Sequence, residues 1–455
     1  MKQEVLEKYN IPVPRYTSYP PANYFQDSFT EENYLQAIDL SNSQQPQHIS
    51  IYIHIPFCRH LCFYCGCNSY PMMSSGIIES YLKAVQKEIE IVCRRLSPDR
   101  KISQIHYGGG SPTAIPVTWL KVFNEQILSY FDCIDNPEIA IECHPGYLDA
   151  KAWKELTEAG FTRFSLGVQD FKEDVLKTVN RRASLLPMEE IFAILRNARA
   201  GINLDFIYGL PYQTEESFTK TISRAVELNP DRVVTFSYAH VPWVNKRQLK
   251  LEEAGLPSQT EKSRMYESAK KLLSSCGYHS IGLDHFVQEE DELKIALQNK
   301  MLHRNFQGYC TRRTTGQVYA FGVTAISQLS TAYMQNTKNI TTYIEQVDKG
   351  ILPVAKGYSL SKEEQITREV ITSLMCNYSL NWQELAERLK TEVEVIKSAT
   401  AYNEQILQNF ADDHLIEWNR EEINMTSEGA LFVRNVAASL DKLMLHSNKT
   451  FSKPV

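Results

Sequence analysis

Four of the ten cysteines fall in one decapeptide, Cys58-Arg-His-Leu-Cys62-Phe-Tyr-Cys65-Gly-Cys67. Cys58, Cys62 and Cys65 are separated by three and then two residues, so three thiolates share one short loop. Such a loop can wrap one face of a cubane iron–sulfur cluster, whose irons take cysteine ligands. A structural zinc site needs a fourth ligand and usually a second paired half. Cys67 could be that ligand, but one intervening residue is tight and no second half occurs elsewhere. The spacing therefore favours a cluster over zinc. Cys93, Cys133, Cys143, Cys276, Cys310 and Cys376 are scattered and read as small apolar packing residues. A second feature, Gly108-Gly109-Gly110 followed by Ser111-Pro112-Thr113, lacks the Gly-Lys-Ser/Thr ending of a phosphate loop.

These residues must be positioned by something regular. Alternating or β-branched runs occur at 48–54, 103–107, 138–142, 163–168, 203–208 and 232–238, with a seventh expected at 279–284. Stretches of helical period separate them, at 76–96, 116–131, 149–159, 187–200, 214–228 and 258–276. Strand–helix–strand repetition predicts a parallel sheet with helical crossovers. The expected fold is α/β, a partial (β/α)6-type barrel. Its chemistry belongs at the C-terminal ends of the strands, where Cys58, Gly108, Glu142, Gln169, Asp205 and Ala239 all fall.

The chain divides into an irregular, aromatic and proline-rich arm over 1–47, the barrel over 48–345, and a smaller, mostly helical domain over 346–455. In the last part Ser361 and Glu364 form a capping box. Helices are expected at 362–376, 382–390 and 392–411. Short strands at 415–418 and 422–425 follow, and Thr426 caps a final helix, a winged-helix-like order. DNA binding is disfavoured by charge: the formal net charge of the 455 residues is -6. From residue 359 onward 10 Lys and Arg face 15 Asp and Glu. At 43 % apolar and 22 % charged residues the chain has globular composition. No apolar run is long enough for a membrane span, and the charged N-terminus is not a secretory signal. A cytoplasmic protein is expected.

The cysteine spacing and the glycine triplet one strand later resemble the signature of the radical S-adenosylmethionine (SAM) enzymes. Further stretches narrow the resemblance to the oxygen-independent coproporphyrinogen III oxidases. They include Pro14–Pro20, Tyr52–Phe57, Cys65-Gly-Cys67-Asn68, Gly167–Phe171, Val179-Asn180-Arg181, Asp205–Pro211, Tyr238-Ala239-His240 and His303–Tyr309.

The resemblance implies a [4Fe-4S] cluster on Cys58, Cys62 and Cys65, with SAM on the fourth iron. A second SAM molecule is implied as well. Tyr52, Tyr64, Gly109, Gly110, Ser111, Glu142 and Ile326 match contacts of the first SAM. Gln169, Arg181, Asp205 and Ala239 match those of the second. Cys67 and Gln307 match catalytic positions. The implied reaction is oxidative decarboxylation of two propionates of coproporphyrinogen III, giving protoporphyrinogen IX. The enzyme is expected to be a monomer fed by an electron donor such as flavodoxin or ferredoxin, without nucleic-acid partners. Local basic runs at Arg15 and at His303, Arg304, Arg312 and Arg313 are candidates for the substrate carboxylates. The glycine motif has Ser-Pro where the family often has Thr-Pro, and His144 stands where an acidic residue is common. Two alternatives are a heme chaperone or another radical SAM relative acting on tetrapyrroles, and a zinc-stabilised binding protein. Cys67 and the His303–Tyr309 stretch speak against the first.

Overall fold

The computed structural model describes residues 3–243, 245–445 and 447–452. Six parallel strands follow the expected order: β1 (His48–Ile55), β2 (Lys101–Gly109), β3 (Asp132–Cys143), β4 (Arg163–Gln169), β5 (Gly201–Tyr208) and β6 (Arg232–Ser237). Helices Ser75–Cys93, Val117–Tyr130, Ala150–Glu158, Met188–Asn197 and Glu215–Glu227 make the crossovers, each within a few residues of its expected bounds. The sheet is wider than the six units. Gln317–Phe321 lies parallel against the other side of β1, and three antiparallel strands, ending with Val354–Ser359, extend that edge. The arm closes the edge itself: Gln26 pairs with Gly357, which removes a row of free backbone groups.

The expected seventh unit takes another form. Residues 279–284 hold only a three-residue strand, His279–Ile281, which turns back and pairs antiparallel with His285–Val287 beside β6. Too few residues separate these strands for a parallel crossover. The division expected at residue 345 falls inside the helix Ile340–Asp348, and the twelve-stranded sheet runs on to Ser359. Beyond it Ser361 caps Lys362–Asn377 as the sequence indicates: its Oγ accepts from Glu364 N at 3.1 Å, and the Glu364 carboxylate accepts from Ser361 N at 2.8 Å. The helix expected over 392–411 is two, Val393–Ala399 and Glu404–Asp412, because Asn403 caps a new start by accepting from Ile406 N. After Thr426, which accepts from Gly429 N, a 3-10 turn precedes the helix Val433–Ser439. The arm is not wholly irregular. It opens with the helix Gln3–Tyr9, and Tyr9, Val13, Tyr16 and Tyr19 share a core with the C-terminal helices.

Strand alternation decides what the barrel contains. Ile49, Ile51, Ile53 and Ile55 are fully buried in the main hydrophobic core, together with Tyr81, Leu82, Val85 and Ile89 of the first crossover helix. The alternate residues of β1 to β5 are polar and bond to one another across the interior. Gln104 Nε2 donates to Glu138 at 2.7 Å, Arg163 Nε donates to the same carboxylate at 2.7 Å, and Arg163 Nη1 reaches Asn203 Oδ1 at 3.0 Å. Burial opposes ionisation of Glu138, but the Arg163 and Arg232 guanidiniums outweigh it and hold its pKa at about 2. This polar layer forms a floor near the N-terminal strand ends.

A buried carboxyl also fastens the loop behind the site. Glu88, on Ser75–Cys93, accepts from Gly322 N at 2.9 Å, Asn336 Nδ2 at 2.7 Å and the Tyr343 hydroxyl. Burial raises its pKa to about 7. Glu88→Leu would remove the Glu88 acceptor from Gly322 N and the Tyr343 hydroxyl, and one of the two acceptors of Asn336 Nδ2, which keeps Gly322 O at 2.9 Å. It should lower the unfolding free energy by about 3 kcal/mol, read as a shift of the urea midpoint. A midpoint equal to that of the parent would show that this network contributes nothing.

Candidate active site

The cysteine loop lies between β1 and Ser75–Cys93 and has almost no regular structure of its own. Only Phe57–Cys58 pairs briefly with Tyr70–Pro71. Its shape comes from residues far away in sequence. Phe63 N donates to Val179 O, Asn180 Nδ2 donates to Leu61 O at 3.0 Å, and Arg181 Nη1 lies 3.5 Å from Cys62 Sγ and 3.1 Å from the Tyr64 hydroxyl. From the other side Asn245 Nδ2 donates to Cys65 O at 2.7 Å and Gln248 Nε2 to Tyr64 O at 3.1 Å. Cys58, Cys62, Cys65 and Cys67 are all free thiols, with Cys62 buried and Cys67 exposed. Burial pushes the Cys58 thiol up to about 12. A hydrogen bond from Cys67 brings Cys65 down to about 6 and correspondingly raises Cys67.

The glycine triplet runs alongside this loop. Gly110 N donates to Ile55 O and Ser111 N to Phe57 O, so the turn after β2 is hydrogen-bonded to the chain entering the cysteines. A Cβ at Gly110 would lie 2.5 Å from the Pro56 carbonyl oxygen and 3.0 Å from Cys58 Sγ. Gly109 has φ +114° and packs on the His54 ring, a conformation and approach that favour glycine. Above these turns stands an upper polar layer. Tyr52 stacks on His106 at 5.9 Å and its hydroxyl lies 3.2 Å from His54 Nδ1. His106 Nε2 is 3.2 Å from Glu142. Ser165 Oγ donates to Asp205 at 2.6 Å, and burial raises the Asp205 carboxyl to about 6.

Gln169, at the end of β4, has φ +70° and a buried Oε1 with no partner among the described residues. Arg181 reaches the Gly167 carbonyl oxygen beside it. Ala239 is exposed after β6, and its carbonyl oxygen accepts from Gln248. Ile326 packs with Phe306 on a smaller cluster that includes Phe25 of the arm, which brings the Gln307 turn beside the strand Ile326–Gln328. The donor set fits the implied cofactors. Three free cysteines share a loop that a glycine turn abuts, and an orphaned amide oxygen and a solitary carboxyl face the same end of the barrel.

Residues 52–225 match the family model described as the Radical SAM superfamily. The oxygen-independent coproporphyrinogen III oxidase of Synechocystis sp. is 36 % identical over 448 residues, covering 98 % of this chain and 96 % of that one. The Escherichia coli (strain K12) protein of the same name is 37 % identical over 442 residues, 96 % of this chain and 94 % of that one. The solved structure of coproporphyrinogen III oxidase from Escherichia coli, a radical SAM enzyme, superposes with a TM-score of 0.87 at 36 % identity, covering 97 % of this chain and 99 % of that one. The chain belongs to the oxygen-independent coproporphyrinogen III oxidases.

As a member of that family it is a radical SAM enzyme with a [4Fe-4S] cluster and SAM. Sequence reading of this oxidase missed the residues that shape the site without touching the chemistry. His106 holds Glu142, Ser165 holds Asp205, and Asn245 and Gln248 grip the cysteine loop. A signal existed for the first two, since polar residues recur at alternate positions of strands that a barrel buries on both faces. None existed for Asn245 and Gln248.

The basic runs divide. Arg312 pairs with Glu369 at 2.9 Å, and Arg313 pairs with Glu292 at 2.8 Å near the opposite barrel end, so neither is free for a substrate carboxylate. His303 is half-buried, and desolvation together with the Arg312 guanidinium brings its pKa down to about 3. Arg15 faces Asp284 at 3.6 Å, and Arg304 lies over the Tyr309 ring.

Asp205 gives a pH prediction. Its folded pKa of about 6 lies above its ordinary value, so the stability it contributes is complete below about pH 4 and is lost as pH rises through about 6. Asp205→Asn keeps an acceptor for Ser165 and removes the titration. The variant should therefore exceed the parent by about 3 kcal/mol above pH 6 and match it near pH 4, measured by urea denaturation across that range. A variant-minus-parent difference independent of pH would refute the assignment.

Proposed function

We propose that this chain oxidatively decarboxylates two propionate side chains of coproporphyrinogen III to vinyl groups, giving protoporphyrinogen IX in porphyrin and heme biosynthesis. The observation that carries the reading is the interlock of Gly110 with Cys58: a cofactor turn is built against a ligand-cysteine loop in a chain alike to oxidases over almost its whole length. That likeness includes the arm, which favours an oxidase over a heme chaperone or a zinc-stabilised scaffold.

Cys58, Cys62 and Cys65 would hold the cluster, which would supply the electron that opens SAM. When bound, the cluster and SAM together supply a 5′-deoxyadenosyl radical that removes a hydrogen from the propionate β-carbon. The protein orients the reactants and excludes side reactions. Tyr52, braced by His54 and stacked on His106, offers a fixed ring face, and Glu142, held by His106, offers acceptors to a ribose diol. Gly109, Gly110 and Ser111 bring backbone close to the methionine end. Tyr64 and Ile326 complete the surroundings of this first SAM, although the Tyr64 carbonyl oxygen is itself held by Gln248.

A second SAM belongs with Gln169, Arg181, Asp205 and Ala239, where the unpartnered Gln169 oxygen and the raised Asp205 carboxyl call for a ligand. Arg181 presents a planar fork suited to a carboxylate, and it reaches Cys62 and Tyr64 from the same place. Cys67 and Gln307 act in turnover. The same proposal takes the enzyme as a cytoplasmic monomer reduced by flavodoxin or ferredoxin. Among the described residues no helix is long and apolar enough to cross a membrane.

The test is an anaerobic assay with coproporphyrinogen III, SAM and dithionite. Protoporphyrinogen IX is the expected product, and its absence with an intact cluster would overturn the reading. Cys67→Ser should keep its iron and sulfide while product formation falls at least tenfold. Cys62→Ala should lose the cluster. Iron loss in Cys67→Ser would instead make it a ligand.

A further inference from the structure

The outer flanks of the cysteine loop carry an unusual charge. Arg59 follows Cys58 and Arg182 follows Arg181, and both are exposed. Their guanidiniums lie over one ring, that of Tyr147, at 5.4 and 5.7 Å from its centroid. On the other flank Lys246 and Lys250 are exposed on the segment whose Asn245 and Gln248 grip Cys65 and Tyr64. The Lys250 ammonium lies 4.6 Å from the centroid of Phe63, within the loop itself. Among the described residues none of these four cations meets a carboxylate. Of the acids near in sequence, Glu173 pairs with Lys177 and Glu252 faces His240, and neither Asp174 nor Glu253 meets any of the four cations. Other exposed cations are paired along their own helices, as in Lys83–Glu79, Arg94–Glu90 and Lys220–Glu216. The molecule as a whole carries -6.

We infer that this flank is the docking surface for the electron donor, a small acidic flavoprotein that presents the edge of its reduced flavin to the cysteine loop. The inference rests on the radical SAM reading above, since a cluster that starts a radical reaction must be reduced from outside. One electron leaves the donor's reduced flavin, which gives up no proton, and enters the cluster, whose charge falls by one unit. An acidic partner is repelled by the net charge of the molecule and attracted where several unpaired cations gather around one loop, as these four do here. The cation–π seats on Tyr147 and Phe63 hold the charges in place without neutralising them. Phe63 and the 78 % exposed Trp243 add aromatic surface at the loop for a flat apolar ring edge. Transfer needs a short path, and this flank is formed by the ligand loop and the two segments that clamp it.

The test uses the cluster-loaded enzyme and a flavodoxin. Binding should weaken steeply as ionic strength rises, because screening acts on exposed charge. The pairs Arg59→Glu with Arg182→Glu, and Lys246→Glu with Lys250→Glu, should each raise the Kd at least tenfold and slow flavodoxin-driven cluster bleaching in proportion. Lys121→Glu with Lys151→Glu, an equal charge change on distant helices, should stay within twofold of the parent. Iron content confirms the cluster in each variant, and two separate pairs guard against misfolding of either. Patch variants that bind like the distant control would overturn the surface. Absence of salt-dependent flavodoxin binding, or such binding only to a [2Fe-2S] ferredoxin, would overturn the donor. With dithionite the patch variants should form product at the parental rate. Failure of the parent in that assay would sink the catalytic reading alone and leave the docking measurements standing.

Discussion

Everything in the site depends on a loop that cannot hold its own shape. The residues from Cys58 to Cys67 make almost no ladder or helix bonds, so their backbone groups must be satisfied from elsewhere. Leu61, Tyr64 and Cys65 each offer a carbonyl oxygen to a side chain more than a hundred residues away: Asn180, Gln248 and Asn245. A single thiolate loop is thereby fixed by the ends of several barrel units. The barrel is what makes this possible, because it gathers the C-terminal strand ends at one mouth. An error in the register of β4 or β6 would displace a clamp and with it the cysteine loop. The exposed face of the same clamp carries the four cations that meet no carboxylate, so the segments that fix the loop also set the charge around it.

The interior of the barrel shows why this fold suits the task. Apolar residues on β1 face the crossover helices, while their alternates face inward and are polar. The lower layer, Gln104, Glu138, Arg163 and Asn203, is joined by a row of hydrogen bonds from strand to strand. Buried ionic groups contribute little net stability, but they become costly when one partner is lost. A complete network of this kind forms a rigid floor. The upper layer is different. His106 meets Glu142 and Ser165 meets Asp205, yet Gln169 and Asp205 keep unmatched capacity.

The six βα units were legible because strand and helix periods differ so plainly, and because each apolar run is bounded by turns. Gln317–Phe321 escaped notice for the same physical reason. All five of its residues are buried, so it has no alternation, and at that length a buried strand is indistinguishable from any apolar stretch. The segment 279–284 was read as one strand because its alternation is genuine, but Gly282, at φ +60°, reverses the chain. At the site, the cysteines, the glycine turn and the strand-end residues could be read from type and position. The clamps could not. Asn245 and Gln248 are ordinary polar residues in a polar segment, and nothing local says that their partners lie in a loop about 180 residues earlier. Nor does a basic run such as Arg312-Arg313 disclose that its charges are matched by Glu369 and Glu292, which only the fold brings near.

The unmatched upper layer connects stability to function. A non-glycine residue at positive φ costs of order 1 kcal/mol or more and persists only where its surroundings insist on it. Gln169 carries that strain, and its buried amide oxygen has no partner. Asp205, one strand away, is held by a single hydroxyl in a place where burial lifts its pKa to about 6. Each of these groups would be easier to accommodate as an apolar residue. Together they leave unmatched hydrogen-bonding capacity at the ends of β4 and β5. The second SAM proposed above would meet that capacity, and the floor, the clamps and the Glu88 network hold the strand ends in place around it.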